Sequence, residues 1–505
     1  MREAYDVVVV GGGTAGAIVA ARLSEDPARR VCLVEAGPDD RGQDRVLRLR
    51  RWLELLESDL DWRYTTILQP RGNSHIVHSR ARVLGGCSSH NTMICLRPHA
   101  RDLDEWAAAG ATGWDAASLA PAYDRLAVHF EPVAEPDRNQ LCRDIIASAS
   151  QAIGIPVVDD FNAAGFRDGV GFLPVGYLPQ TGMRTSASVS YLHPIMDSRP
   201  NLDVRCDTRA LRVNLAGSRA TSVTVRAAGE EIELGADEVV LAAGVFGTPE
   251  LLWQSGIGPA AVLAAVGLGV EHDLSGVGEN LLDHPESIIV WETVRPVPTE
   301  TSMHSDVGLF VNRLGADERP DLMFHTYQVP FTYNTQRLGY RVPQHAICMT
   351  PNVTRPRSRG RMWPLSARMD VRPAIDFRYF TDPEGYDERT IVDGLRIARE
   401  VAATRPFRDW IAREIAPGPD LQSDDELSRY GRAAHHTVYH PAGTCRMGAA
   451  DDPLAVVDPE LRVRGIEGLR VADASIFPTM TTVNPMVTVF MIGERAAELI
   501  AGAPA

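Results

Sequence analysis

Residues 5 to 16 read Tyr-Asp-Val-Val-Val-Val-Gly-Gly-Gly-Thr-Ala-Gly, a run of valines that passes straight into Gly11-x-Gly13-x-x-Gly16. An uninterrupted β-branched run bounded by glycine is the pattern of a strand buried on both faces. The glycines permit a tight turn, let backbone amides approach a pyrophosphate, and let the next helix pack on the strand with its N-terminus toward that phosphate. The spacing predicts a helix over residues 15–23 and a second strand, Val31-Cys-Leu-Val-Glu35, ending in an acid 19 residues past Gly16. A carboxylate at that distance suits a ribose hydroxyl, not a 2′-phosphate. Strand, helix, strand and acid together specify a dinucleotide site. On the residues alone, NAD and FAD both remain open.

A chain of 505 residues, 44% hydrophobic, can bury a large core and is expected to hold two or more domains. All 51 basic residues are arginine, which excludes lysine-based catalysis. A formal charge of -15 argues against a nucleic-acid partner, whose binding needs basic surface, and tolerates a cationic substrate. The 7 cysteines form no CxxC pair and no zinc spacing, so no metal is expected, and their scatter suits a reducing compartment. No apolar run reaches the ~18 to 20 residues of a membrane helix. A cytoplasmic protein with no membrane partner is the expectation.

Further along, residues 103–128 read as helix broken near Gly110 to Gly113, and residues 202–205, 211–214, 221–227 and 238–243 read as strands. Thr248-Pro249 reads as a helix start, with Thr as cap and Pro at the first position. Residues 286–380 lose the βαβ rhythm and predict a second domain on an antiparallel sheet, followed by an amphipathic helix over 384–404. Glycine-rich character returns from His435 and ends in a helix over 485–501, so the nucleotide domain is expected to be discontinuous.

Four segments resist explanation by packing. They are Arg80-Ala-Arg-Val-Leu-Gly-Gly-Cys-Ser-Ser-His90-Asn91-Thr92, Asp283-His284-Pro285-Glu286, Val438-Tyr439-His440-Pro441-Ala442-Gly443-Thr444 and Val483-Asn484-Pro485-Met486. A His before Pro lies in non-helical backbone, so His440 sits on a loop that can present its ring to a cavity.

Taken together, these segments resemble the glucose-methanol-choline oxidoreductases, a flavin family, over essentially the full chain. Gly244-x-x-Gly247-Thr248-Pro249-x-x-Leu-Leu-x-x-Ser255-Gly256-Ile257-Gly258 is similar to that family's second signature, and residues 82–97 to its first. Within the family the likeness is greatest to the choline oxidases, as in Leu103-Asp-Glu-Trp, Thr350-Pro-Asn-Val-Thr and Gly468-Leu-Arg-Val-Ala-Asp-Ala-Ser.

The resemblance implies an α/β fold. A Rossmann-like FAD-binding domain (1–150, 180–285 and 435–505) would carry an inserted α+β substrate domain on an antiparallel sheet (151–179 and 286–434). It implies that Gly11, Gly13, Thr14, Ala15, Gly16, Glu35 and Ala36 hold the phosphates and ribose of FAD, with a backbone contact to adenine at Ala210. Further contacts would come from Trp62, Arg82, Val83, Gly85 and Gly86, from Asn91, Thr92, Met93 and Ile94, and from Asp473, Ala474, Asn484 and Pro485. His90 stands where the choline oxidases bond covalently to the flavin 8α-methyl carbon.

By the same resemblance His440 assists removal of the alcohol proton, Asn484 orients the alcohol oxygen and His325 orients the substrate. Hydride then passes to flavin N5 and on to O2, giving hydrogen peroxide, with Val438 beside the site of oxygen reaction. Aldehyde is the product, and acid if its hydrate is oxidised again. Trp52, Tyr439 and Glu286 match the choline oxidases' cation cage. Ser305 replaces that cage's second tryptophan, and Thr92 a serine beside the flavin. The expected substrate is a small primary alcohol bearing an amine or ammonium group, acted on by a homodimer. A bulkier aromatic, pyridoxine-like or amino-sugar alcohol, taken by an oxidase or dehydrogenase, is the alternative.

Overall fold

The computed structural model describes residues 3–163, 167–315 and 317–502. The valine run forms the strand Glu3–Val10, which takes parallel partners on both edges, Val8 standing opposite Cys32 on one side and Val239 on the other. Leu202–Arg205 adds in parallel beyond Val31–Val34, and Leu469–Val471 joins Glu230–Leu241 in parallel. The first half of Glu230–Leu241 instead pairs antiparallel with Arg219–Ala227, which pairs with Thr208–Ala216. The seven strands form one sheet built from a parallel core and an antiparallel ribbon.

The helix Thr14–Leu23 leaves the glycine turn and packs on the C-terminal helix Met486–Ala501. The two approach so closely at Gly493 that a Cβ there would stand 2.9 Å from the Cβ of Ile18. This contact fixes the start of the C-terminal helix, just after Asn484 and Pro485, against the helix that leaves the glycine turn.

The expected helix start at Thr248 is wrong. The helix after the last long strand spans Gly244–Gln254, so Thr248 and Pro249 lie inside it and Thr248 is not its cap. Thr248 Oγ1 donates to Asp473 Oδ2 at 2.6 Å, and Gly244 N–H donates to the same oxygen at 2.8 Å. A proline inside a helix leaves the carbonyl four residues earlier without its N–H partner. That carbonyl, on Val245, accepts instead from Thr444 Oγ1 at 2.6 Å. A tertiary hydroxyl thus does what the local sequence could not.

The second sheet has eight strands, six in the order Ile411–Ala416, Ile289–Thr293, Ala346–Val353, Leu322–Tyr327, Val307–Val311 and Gly169–Phe172, while the short strand Pro285–Glu286 pairs with Ala346–Val353 and with the eighth strand, His436–Thr437. Every pairing in it is antiparallel. Its central strands are buried along their whole length, where an antiparallel sheet often wets one face. The helices Gln140–Ile153 and Tyr386–Ala403 pack against this sheet, and its His325 and Tyr327 reach a deep cavity. Among the described residues no helix is long and apolar enough to cross a membrane.

Candidate active site

A cavity of about 280 Å³ is lined by residues of both sheets. One end is the glycine turn: Gly11, Gly13, Thr14 and Ala15 line it, with Glu35 and Ala36 from the end of the second strand. The backbone is bare here because it must be. A Cβ on Gly86 would fall 2.5 Å from Gly13 Cα, and one on Gly11 would fall 2.4 Å from the Ala242 carbonyl oxygen. The carboxylate of Glu35 is fixed by two backbone amides, Gly12 N–H at 2.9 Å and Gly37 N–H at 2.7 Å. Burial nevertheless pushes its pKa up to about 7. A helix N-terminus for phosphate, a carboxylate for ribose and a cradle that side chains would fill all suit a dinucleotide.

Most of the expected cofactor residues line this cavity, including Trp62, Gly86, His90, Asn91, Thr92, Ile94, Ala210, Asp473, Ala474 and Pro485. Gly16, Arg82, Val83, Gly85 and Met93 are not on its wall and shape it from behind. Gly85, at φ +85°, donates its N–H to the Gly12 carbonyl at 2.7 Å, tying the first-signature loop to the glycine turn. Arg82 lies 5.8 Å from the ring centre of Trp62.

At the other end His325, His440 and Asn484 converge. His325 projects from Leu322–Tyr327, where it pairs with Gly308 across the hairpin. His440 follows Tyr439, a non-glycine residue held at φ +62°, a strained conformation typical of functional sites. Arg80 Nη2 donates to the Tyr439 carbonyl at 2.5 Å and Asp283 Oδ1 accepts from His440 N–H at 3.1 Å, so the strained turn is anchored on both sides. The amide nitrogen of Asn484 lies 3.3 Å from His440 Nε2 and 3.5 Å from His325 Nε2. Burial holds the pKa of His440 well below the usual imidazole value, with the neighbouring His284, His325 and Arg80 adding to the effect. Burial likewise pushes His325 down to about 3. Both rings are therefore neutral at pH 7. The site thus offers uncharged proton acceptors beside an amide donor.

The family models for GMC oxidoreductases match residues 5–286 and 356–493. The chain belongs to the GMC oxidoreductase family. It is 46% identical to choline oxidase of Arthrobacter globiformis over 523 aligned residues, covering 99% of this chain and 95% of that protein. Its fold matches the crystal structure of pyridoxine 4-oxidase from Mesorbium loti at TM-score 0.92 and 29% identity, covering 99% of this chain and 100% of that one. A formate oxidase from Aspergillus oryzae, studied for modification of its FAD, matches at TM-score 0.89 and 25% identity, covering 99% and 98%. The expectation of a flavin-dependent GMC oxidoreductase built on a Rossmann-like sheet and an antiparallel sheet therefore holds.

The imidazole end of the cavity in this GMC oxidoreductase is more aromatic than the sequence suggested. Trp52, Val438, Tyr439, Thr92 and Ser305 line the cavity as expected, and so does Tyr327, which sequence reasoning did not single out. Tyr327 stacks on Phe331 with ring centres 4.7 Å apart, and Trp52 lies 6.4 Å from each. Trp52 is held in place by its Nε1–H, which donates to the Met303 carbonyl at 2.8 Å. Glu286 is not on this wall. It sits in a small adjoining cavity with Phe331, Thr350 and His436, fully buried, and its Oε2 has no hydrogen-bond partner among the described residues. His90 Nε2 donates to the Leu55 carbonyl at 2.8 Å, and burial pushes its pKa down to about 4, so the neutral ring keeps its lone pair on Nδ1.

Proposed function

We propose that this enzyme oxidises a small primary alcohol carrying an amine or ammonium group, choline-like in size and charge, and passes the electrons to O2. The observation that carries the reading is the meeting of His440, Asn484 and His325 with the rings of Trp52, Tyr327 and Tyr439 in the same cavity as the dinucleotide cradle. In this reading His440 takes the alcohol proton as a neutral base, while the Asn484 amide donates to the alcohol oxygen as negative charge grows on it. Bound FAD would supply the two-electron acceptor that side chains lack. The aromatic faces suit a desolvated cation.

Peroxide release, ranked as kcat/KM over quaternary ammonium alcohols, amino alcohols and neutral aromatic alcohols, tests the proposal. Turnover confined to neutral alcohols rejects the cationic substrate, and no turnover of any alcohol by flavin-loaded protein rejects the alcohol. A second reading, a pyridoxine-like aromatic alcohol, is favoured by Ser305. Its hydroxyl is buried on the cavity wall without a partner among the described residues, ready to bond a polar ring substituent. The same panel separates the two.

Glu286 gives the cationic reading a pH signature. Burial pushes its pKa up to about 8, so in the free enzyme it is mostly neutral at pH 7 and ionises as pH rises through that value. Only the ionised form attracts a cation. KM for a cationic alcohol is expected to fall as pH rises through about 8, while KM for a neutral alcohol stays flat. Parallel profiles for the two would remove Glu286 from substrate binding.

We also assign His90 a covalent bond to FAD. A neutral ring with a free lone pair on the cavity wall supports it. Acid precipitation should leave the flavin on the wild-type protein and release it from His90→Asn. Wild-type flavin that already appears in the supernatant sinks the assignment.

A further inference from the structure

Behind His440 lies a second buried histidine to which the mechanism so far gives no task. His284 Nδ1 stands 2.9 Å from His440 Nδ1, the two rings being nearly perpendicular at 80°. On the far side of His284, Nε2 faces two backbone carbonyls, Thr354 O at 2.7 Å and Thr481 O at 2.9 Å. The geometry leaves little freedom. Carbonyl oxygens only accept, so the nitrogen aimed at both of them must carry the hydrogen. His284 is only 2% exposed, and among the described residues no carboxylate is a hydrogen-bond partner of it, so the ring is neutral and holds a single N–H. Its Nδ1 is then a lone pair, and the short contact to His440 is a hydrogen bond only if His440 Nδ1 donates it. A neutral His440 with its hydrogen on Nδ1 has its lone pair on Nε2, the nitrogen that faces Asn484 at 3.3 Å and lines the cavity.

We propose that His284 is a positioning residue that locks His440 in the Nδ1–H tautomer, so that the Nε2 lone pair is always turned toward the bound alcohol. The two carbonyls fix His284, His284 fixes His440, and the proton-accepting atom of the site is set by backbone atoms two rings away. Without that chain of bonds His440 could place its hydrogen on Nε2 and become a donor where an acceptor is needed. A carboxylate often performs this orienting task for a catalytic histidine. A neutral imidazole can do it here because it is itself oriented by acceptors that cannot change state. The proposal rests on the reading of His440 as the base, and its first test does not.

The test measures the tautomer itself. In flavin-loaded protein with 15N-labelled histidine, assigned with a His440→Gln control, His440 Nε2 should show the shift of an unprotonated nitrogen near pH 7.5. Two variants follow. His284→Leu keeps the bulk and removes the bond to His440 and those to the two carbonyls. His284→Gln keeps an acceptor at one end of its amide and an N–H at the other. The leucine variant should lose the single tautomer and at least about tenfold in kcat, since a wrongly placed imidazole proton is costly to general-base catalysis. The glutamine variant should regain the tautomer and most of the rate. A protonated Nε2 in the wild type overturns the proposal, and so does an equal loss of rate in both variants with the His440 signal unchanged. Should the leucine variant not fold, the wild-type signal and the glutamine variant still decide. If no alcohol is turned over, the tautomer result stands alone and the fault lies with the proposed function.

Discussion

Gly16→Ala should give protein that folds but purifies with little or no flavin. A Cβ at this position would lie 2.0 Å from the Gly11 carbonyl oxygen and 3.1 Å from Ala242 Cβ. The first of these is backbone. It cannot swing aside, because Glu3–Val10, which leads into Gly11, is paired on both edges, and Gly11 N–H itself donates to the Val34 carbonyl at 2.8 Å. The helix Thr14–Leu23 must therefore move outward, carrying with it Thr14 and Ala15, which line the cavity. Overpacking of this kind costs about 1 to 3 kcal/mol of stability, an amount a large domain can absorb. The cofactor site has no such reserve. Its helix N-terminus acts on phosphate through groups within its first turn, and a shift of an ångström or more removes them from contact. The ratio of absorbance near 450 nm to that at 280 nm, read beside a thermal melt, checks the expectation. A folded, fully yellow variant would mean that helix position does not control flavin binding. On this expectation Gly16 acts on the cofactor without lining the cavity.

The same distinction explains how far the sequence could be read. The glycine turn, the helix after it and the second strand were legible because each depends on neighbours within a few residues, and the acid at Glu35 falls where local geometry puts it. The class of the second sheet was legible from the loss of βαβ rhythm over residues 286–380. Its register was not, and register decides the site. Tyr327 reaches the cavity because Leu322–Tyr327 pairs antiparallel with Val307–Val311, with His325 opposite Gly308. Nothing within ten residues of Tyr327 states that partnership. Glu286 shows the reverse case. Its neighbours marked it as part of a functional segment, yet the short strand Pro285–Glu286 pairs with His436–Thr437 and turns its side chain into the adjoining cavity. The helix boundary at Thr248 failed for a similar reason, since its start is set by Asp473, more than 200 residues away. His284 carried a signal in its Asp-His-Pro-Glu setting, but its contact with His440 crosses 156 residues of sequence.

His440→Ala is expected to lower kcat by about 10²-fold or more, at least about 2.7 kcal/mol of transition-state stabilisation, in line with what positioned acid-base groups contribute. The flavin content should be unchanged, because the cradle and Glu35 lie at the other end of the cavity. The wild-type pH profile supplies the companion test. A base works only when unprotonated. Burial disfavours the imidazolium of His440, so its pKa lies well below the ordinary imidazole value, and the ring is already neutral across the physiological range. In the free enzyme the acid limb of kcat/KM assigned to this group should therefore fall well below pH 6.5, the value of an unperturbed histidine. His325 and His284, pushed down to about 3 and about 4 by burial, add no titration near neutrality, and the limb is read with a neutral alcohol so that Glu286, pushed up to about 8, does not contribute. A limb centred above pH 6.5 that disappears in His440→Ala would mean that the ring is stabilised as a cation in solution. An Arg80 guanidinium on the neighbouring carbonyl makes that outcome electrostatically costly. Near-normal turnover by the alanine variant would instead move the base elsewhere, and Asn484, which cannot take up a proton at these pH values, could not replace it.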